Sequence, residues 1–294
     1  VNDAVTSCAS SVPSNARGAP VRTVAIAGCK GGVGTSVIAA NLAVALARTV
    51  NRVLLFDADL PKGSLSALLG VPATDHWHRL LAGELPLSAL IGEGPGGIGV
   101  ITAARGDVRL SRLSRIQHAA VIAHFSAVGV EADTLLVDTP SGLNDASLTY
   151  GAAARELLIV ITDEPASLRA AAMLVGTLNR ECLARRFHTV VNRANGAQHA
   201  RDVHQSLLER IDPALDVLVE HAGSIPDDAH LGRSVRTGSP VVQLFPRSPS
   251  ALAFAKLATR VARWPRPATP AGRIEFFVER LVQVADPTLV RVSA

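Results

Sequence analysis

Apolar, β-branched runs of five to nine residues alternate along the chain with longer segments in which apolar positions recur every three or four residues. The first kind predicts strands at 21–27, 52–57, 98–102, 133–138, 157–162, 188–192 and 217–225. The second predicts helices, among them 36–49, 112–128, 167–183 and 198–211. Strand–helix alternation with apolar strands places the chain in the α/β class. The expected architecture is one doubly wound, mostly parallel sheet of about seven strands with helices on both faces, filling a single domain at 21–263.

The pattern fails at both ends. Residues 1–20 are rich in Ser, Ala, Asn and Pro without an apolar period and read as a disordered lead-in. Trp264-Pro-Arg-Pro267 and Pro270-Ala-Gly272 read as a linker over 264–272. After it, a turn of about 100° per residue puts Ile274, Phe277, Val278, Leu281, Val282, Val284 and Ala285 on one arc. Glu275, Glu279, Arg280 and Gln283 lie opposite, and Phe276 falls on the polar side. The reading is an amphipathic helix over 273–285, followed by a tail at 286–294.

Composition narrows the class. Apolar residues make up 48% and charged residues 18% of the 294, enough for a large core. No apolar run approaches the roughly eighteen residues that a spanning helix needs, and the start of the chain lacks a charged region followed by an apolar one, so a cytoplasmic location is expected. Cys8, Cys29 and Cys182 are isolated, which suggests neither a disulfide framework nor a metal site. The formal charge of +4 is small and spread along the chain. Arg105, Arg109, Arg112 and Arg115 make a solvated helix face the simple reading, so no specific nucleic-acid partner is expected.

The segment Ala27-Gly-Cys-Lys-Gly-Gly-Val-Gly-Thr-Ser36 carries the candidate chemistry. It follows a predicted strand and opens a predicted helix, the context of a phosphate-binding loop. Glycines let backbone N–H groups converge on an anion, and the helix start adds its positive end. Gly31, Gly32, Val33, Gly34, Thr35 and Ser36 form the expected phosphate-binding set, with the Ser36 hydroxyl also a ligand for Mg²⁺. Against G-x-x-x-x-G-K-[ST], Cys29 replaces the first glycine and Thr35 replaces the lysine that bridges the terminal phosphates. A Gly-rich turn that merely permits tight packing is the plain alternative; Lys30 and the register of Ser36 weigh against it.

Two later strands end in acids: Asp57-Ala-Asp59 and Asp138-Thr-Pro-Ser-Gly142. An Asp after a strand is often a helix cap, but acids in this order after such a loop fit a magnesium nucleotide.

Lys30 within Lys-Gly-Gly-Val-Gly resembles the deviant phosphate loop of the MinD/ParA group. The resemblance extends from 21 to 282. Glu93-Gly-Pro-Gly-Gly-Ile-Gly-Val100, Asp163-Glu-Pro-Ala-Ser167, Phe245-Pro-Arg-Ser-Pro-Ser-Ala-Leu252 and Ile274-Glu-Phe-Phe-Val-Glu-Arg-Leu281 look like segments of the FleN/FlhG flagellar-number regulators. It implies a P-loop NTPase fold and a homodimer that encloses ATP and Mg²⁺, with Lys30 reaching the partner's phosphates. Asp59 would orient the attacking water, and Asp57 and Asp138 would join Ser36 around the metal. Asn192, Pro226 and Asp227 would line the adenine, although ordinary turn chemistry explains these three equally.

The resemblance also implies control of flagellar number or placement through an SRP-type flagellar GTPase or a flagellar transcriptional activator, and membrane contact through 273–285. That helix has few cations on its polar face, so packing on the domain is an equal alternative. With Thr35 in the loop, a slow dimer-dependent ATPase and a non-hydrolysing adaptor both stay open. A cellulose-synthesis or pilus-assembly MinD relative is a further alternative.

Overall fold

A computed structural model describes residues 21–50, 52–104, 106, 110, 113–127 and 132–265. The expected lead-in, the amphipathic segment 273–285 and the tail lie outside the described residues, as does the linker 264–272 beyond its first two positions.

Eight strands form one sheet: β1 (Arg22–Gly28), β2 (Val53–Asp57), β3 (Ile91–Glu93), β4 (Gly99–Ile101), β5 (Thr134–Asp138), β6 (Glu156–Ile161), β7 (Arg186–Ala194) and β8 (Leu218–Pro226). Their order is β3-β4-β2-β5-β1-β6-β7-β8, and every pairing is parallel except β3 with β4. The expected count of about seven is one short. The strand missing from the sequence reading is β3, whose three residues Ile-Gly-Glu are too few to carry a period and pair antiparallel at the edge.

Side chains alternate between two cores, as the period of two requires. Ala25 and Ala27 of β1, Leu54 and Phe56 of β2, and Leu135 and Val137 of β5 join one cluster, while Val24, Ile26, Val53, Leu55 and Leu136 join the other. Burial on both faces explains why these strands read as near-continuous apolar runs. On the first face pack α3 (Trp77–Leu81), α4 (Arg115–Ala127), α5 (Asp145–Ala153), α6 (Pro165–Cys182) and α7 (Gly196–Leu208). On the second lie α1 (Thr35–Leu46), α2 (Ser64–Leu69), α9 (Val241–Leu244) and α10 (Pro249–Val261). The short α8 (Ala229–Thr237) precedes α9.

Two features position the site. Helix α1 is apolar almost all round and lies deep in the second core, so its start is fixed against the sheet. Phe56, the residue before Asp57, packs its ring 5.0 Å from Phe125, 5.6 Å from Tyr150 and 5.8 Å from Trp77. That aromatic cluster underlies the acid-bearing end of β2.

Candidate phosphate and metal site

The loop between β1 and α1 is shaped by what its glycines leave out. A Cβ on Gly28 would collide with Thr35 Oγ1 and lie 2.7 Å from Val33 Cγ2, so the Thr35 side chain folds against the end of β1 and is only 8% exposed. Gly34 caps α1 at φ 95°, ψ 24°, a left-handed conformation that suits glycine, and a Cβ there would strike the Asn192 amide. No side chain caps α1 and no acid stands in its first turn. Its opening N–H groups are therefore left for an anion.

The loop is held from behind by the end of β7. Asn192 Nδ2 donates to the Val33 carbonyl at 2.8 Å, and Arg193 Nη2 donates to the Gly32 carbonyl at 3.1 Å. Asn192 Oδ1 accepts from the Arg193 N–H at 3.0 Å. Gly142 N donates to the Gly28 carbonyl at 3.0 Å, closing the turn after β5 onto the loop.

Asp57 and Asp138 stand opposite each other in the β2–β5 register, and both are fully buried. Asp57 accepts from the Asp59 N–H at 3.2 Å and from the Leu65 N–H at 3.1 Å. Burial, with the charge of Asp59 adding, raises its pKa from 3.8 to about 7. Burial also pushes Asp138 well above the usual carboxylate range, with Asp57 adding and the nearby Ser36 hydroxyl opposing. Both Asp138 oxygens are buried without a hydrogen-bond partner among the described residues. Two unsatisfied oxygens beside a second carboxylate and a hydroxyl suit a hard divalent cation, since Mg²⁺ takes one or two carboxylates and completes its shell with phosphate and water. No group of three or more His, Cys, Asp or Glu able to hold a metal occurs among the described residues.

A cleft of about 420 Å³ opens over the loop, lined by Lys30, Gly34, Ser36, Asp59, Lys62 and Thr139 among others, within the range of small-ligand pockets. Asp59 is half-buried there, its pKa raised by burial. Thus Lys30, Gly32, Gly34, Thr35, Ser36 and Asp59 come together at one opening, and Asp57 and Asp138 lie buried behind it, next to Asp59 and Ser36 respectively. The residues expected around the adenine fall at three places. Asn192 is buried under the loop, Asp227 is exposed, and Pro226 lines a second depression with Ala194 and Leu252.

Two features escaped the sequence reading. Lys30 is ion-paired with Glu164 at the start of α6 in the same chain. Lys62, in the turn Asp59-Leu-Pro-Lys62-Gly63, faces the cleft; a cation within a Pro–Gly turn just after the acid pair was the available signal.

The family profile described as "ParA: NUBPL iron-transfer P-loop NTPase" matches residues 20–262. The antiactivator FleN of Pseudomonas aeruginosa is 39% identical over 264 residues, covering 90% of this chain and 94% of that protein. The septum site-determining protein MinD of Pyrococcus horikoshii, solved in complex with Mg-ADP, superposes with a TM-score of 0.69 at 26% identity, covering 83% of this chain and 96% of that one. MinD in the MinC:MinD complex of Aquifex aeolicus gives 0.63 at 25% identity, with 85% and 98% covered. Loop, acid pair, strand order and the length of the match agree: the chain belongs to the ParA family of P-loop NTPases.

Proposed function

We propose that this chain is a nucleotide-operated switch that holds ATP with Mg²⁺ in the cleft, pairs with a second copy in that state, and regulates flagellar number or placement through a protein partner. The observation that carries the reading is Asp138, whose two buried oxygens lack partners beside Asp57 and Ser36. Bound Mg²⁺ would neutralise charge on the phosphates. The loop amides from Gly31 to Ser36 would hold the triphosphate, and Ser36, Asp57 and Asp138 would hold the metal. Asp59 orients the attacking water. Lys30 serves the partner's phosphates once it leaves Glu164.

Support for nucleotide and metal comes from the Mg-ADP complex of MinD. Support for a flagellar role comes from similarity to the antiactivator FleN; a flagellar transcriptional activator and an SRP-type GTPase are the two partner classes proposed. The MinC:MinD complex supports a protein-binding mode of action. No helix among the described residues is long and apolar enough to cross a membrane. A cytoplasmic protein whose segment 273–285 touches the membrane in the dimer fits this scheme, and liposome sedimentation with and without ATP tests it. Iron transfer is not carried over, because the cysteines are isolated in sequence and burial pushes the Cys29 thiol up to about 12.

The decisive experiment titrates the full chain with ATP and Mg²⁺ while its mass in solution is followed. ATP-dependent doubling of mass is expected; a monomer that takes up no nucleotide at any Mg²⁺ concentration sinks the reading. A second reading, an adaptor that does not hydrolyse ATP, is favoured by one observation: position 35 carries no ammonium to stabilise transition-state charge. Turnover of the natural chain against Thr35→Lys, with Lys30→Ala as control, separates the two.

A further inference from the structure

We propose that Lys62 supplies, from within the same chain, the cationic contact to the terminal phosphates of the nucleotide that position 35 does not provide. The inference rests on the nucleotide-switch reading and adds a residue to it.

The cleft has few cations to offer. Thr35 is uncharged and its side chain is packed against Gly28. Lys30 is paired with Glu164. Arg193, at the back of the loop, spends its guanidinium on the Gly32 carbonyl. Lys62 is exposed, lines the same opening as Gly34, Thr35 and Ser36, and its ammonium has neither an ion pair nor a hydrogen bond among the described residues. Its ammonium is therefore free to meet an anion that enters the cleft.

The turn that carries Lys62 is built into the metal site. Its N–H and that of Gly63 both donate to the Asp59 carbonyl at 3.0 Å, fixing the turn just after the acid pair. Gly63 then starts α2 in a left-handed conformation, φ 61°, and Leu65 N in the first turn of α2 donates to Asp57. Lys62 is thus fixed between Asp59, whose carbonyl accepts its N–H, and the start of α2, which is tied to the candidate metal ligand Asp57. Its charge is felt there, favouring the ionised forms of Asp57, Asp59 and Asp138. The anion that enters between this turn and the loop meets amides on one side and the Lys62 ammonium on the other. A contact of this kind is charge-assisted and strengthens with the charge of the terminal phosphate. Lys62 therefore favours the triphosphate over the diphosphate.

Equilibrium binding of Mg·ATP and Mg·ADP by calorimetry on the full chain tests this. Lys62→Ala is expected to weaken ATP by about tenfold or more and ADP by less, Lys62→Arg to retain most of the affinity, and Lys62→Ala with Thr35→Lys to recover it. Because Lys62 is exposed, the thermal unfolding of Lys62→Ala should match that of the natural chain, which excludes misfolding as the cause. If the natural chain binds Mg·ATP and Lys62→Ala binds it within about twofold as well, the inference is overturned while the switch reading stands. If the natural chain binds neither nucleotide and Thr35→Lys does, both are overturned in favour of an adaptor.

Discussion

Lys30 is ion-paired with Glu164 of its own chain, so the lysine assigned to a partner's phosphates is held at home in the single chain. Hydrogen bonding and the charge of Lys30 keep the Glu164 carboxyl below its ordinary pKa. Both side chains are partly exposed, and a screened surface pair is a weak latch. Glu164→Gln should therefore strengthen ATP-dependent pairing modestly, by up to about fivefold, with a smaller gain at high salt. Sedimentation equilibrium at two ionic strengths reads this. A variant that pairs less tightly would mean that Glu164 works in the dimer contact itself.

Asp57 and Asp138 predict an inverted pH dependence. Burial raises Asp57 from 3.8 to about 7 and moves Asp138 in the same direction. Between those values the folded chain holds more protons than the unfolded one, so stability is present at low pH and falls as pH rises through about 7. The metal-free chain should melt at a lower temperature at about pH 8 than at about pH 5.5, setting aside sites that titrate elsewhere. Asp57→Asn should flatten that slope and raise the melting temperature at the higher pH. Mg²⁺ with nucleotide should restore stability to the natural chain and do little for Asp57→Asn. A melting temperature that climbs from the lower pH to the higher in the natural chain, and equally in the variant, contradicts the assignment.

What the sequence discloses of this site is the part written locally. Strands β1, β2, β5 and β6 read as apolar runs because they are buried along their whole length, and the loop and the acids sit at strand ends a few residues long. Strand β3 left no trace because a three-residue edge needs no period. The pairing of Lys30 with Glu164 and the support of Val33 by Asn192 join positions far apart in the chain, and nothing near either residue announces them. The same holds for Thr35, whose place in the motif is obvious but whose retreat against Gly28 depends on the packing of the whole turn.

That retreat gives a stability prediction. Gly28→Ala would force the new methyl against Thr35 Oγ1 and Val33 Cγ2, and Val33 is itself buried in the second core. Overpacking of this kind costs about 1–3 kcal/mol, visible in urea unfolding as a lower midpoint at unchanged slope. Shortening the opposing side chain with Thr35→Gly should return only part of the loss, because the contact with Val33 remains. Gly28→Ala unfolding at the natural midpoint would show that the loop yields at no cost.

Asn192 separates two jobs that the sequence could not. Its amide holds the Val33 carbonyl and its oxygen accepts from Arg193 N–H, an arrangement that braces the phosphate loop from behind. Asn192→Ala leaves the buried Val33 carbonyl short of that donor, and an unmet buried polar group costs about 1–3 kcal/mol. If bracing is the role, the loss falls on the loop, so affinity for ATP and for inorganic tripolyphosphate should drop together, by about tenfold each. If the residue instead reads the base, ATP should suffer while tripolyphosphate, which has no base, binds as before. Competition between the two ligands on the natural chain and on Asn192→Ala distinguishes these outcomes. The buried position of Asn192 beneath Gly34, where even a Cβ would strike its amide, favours the first.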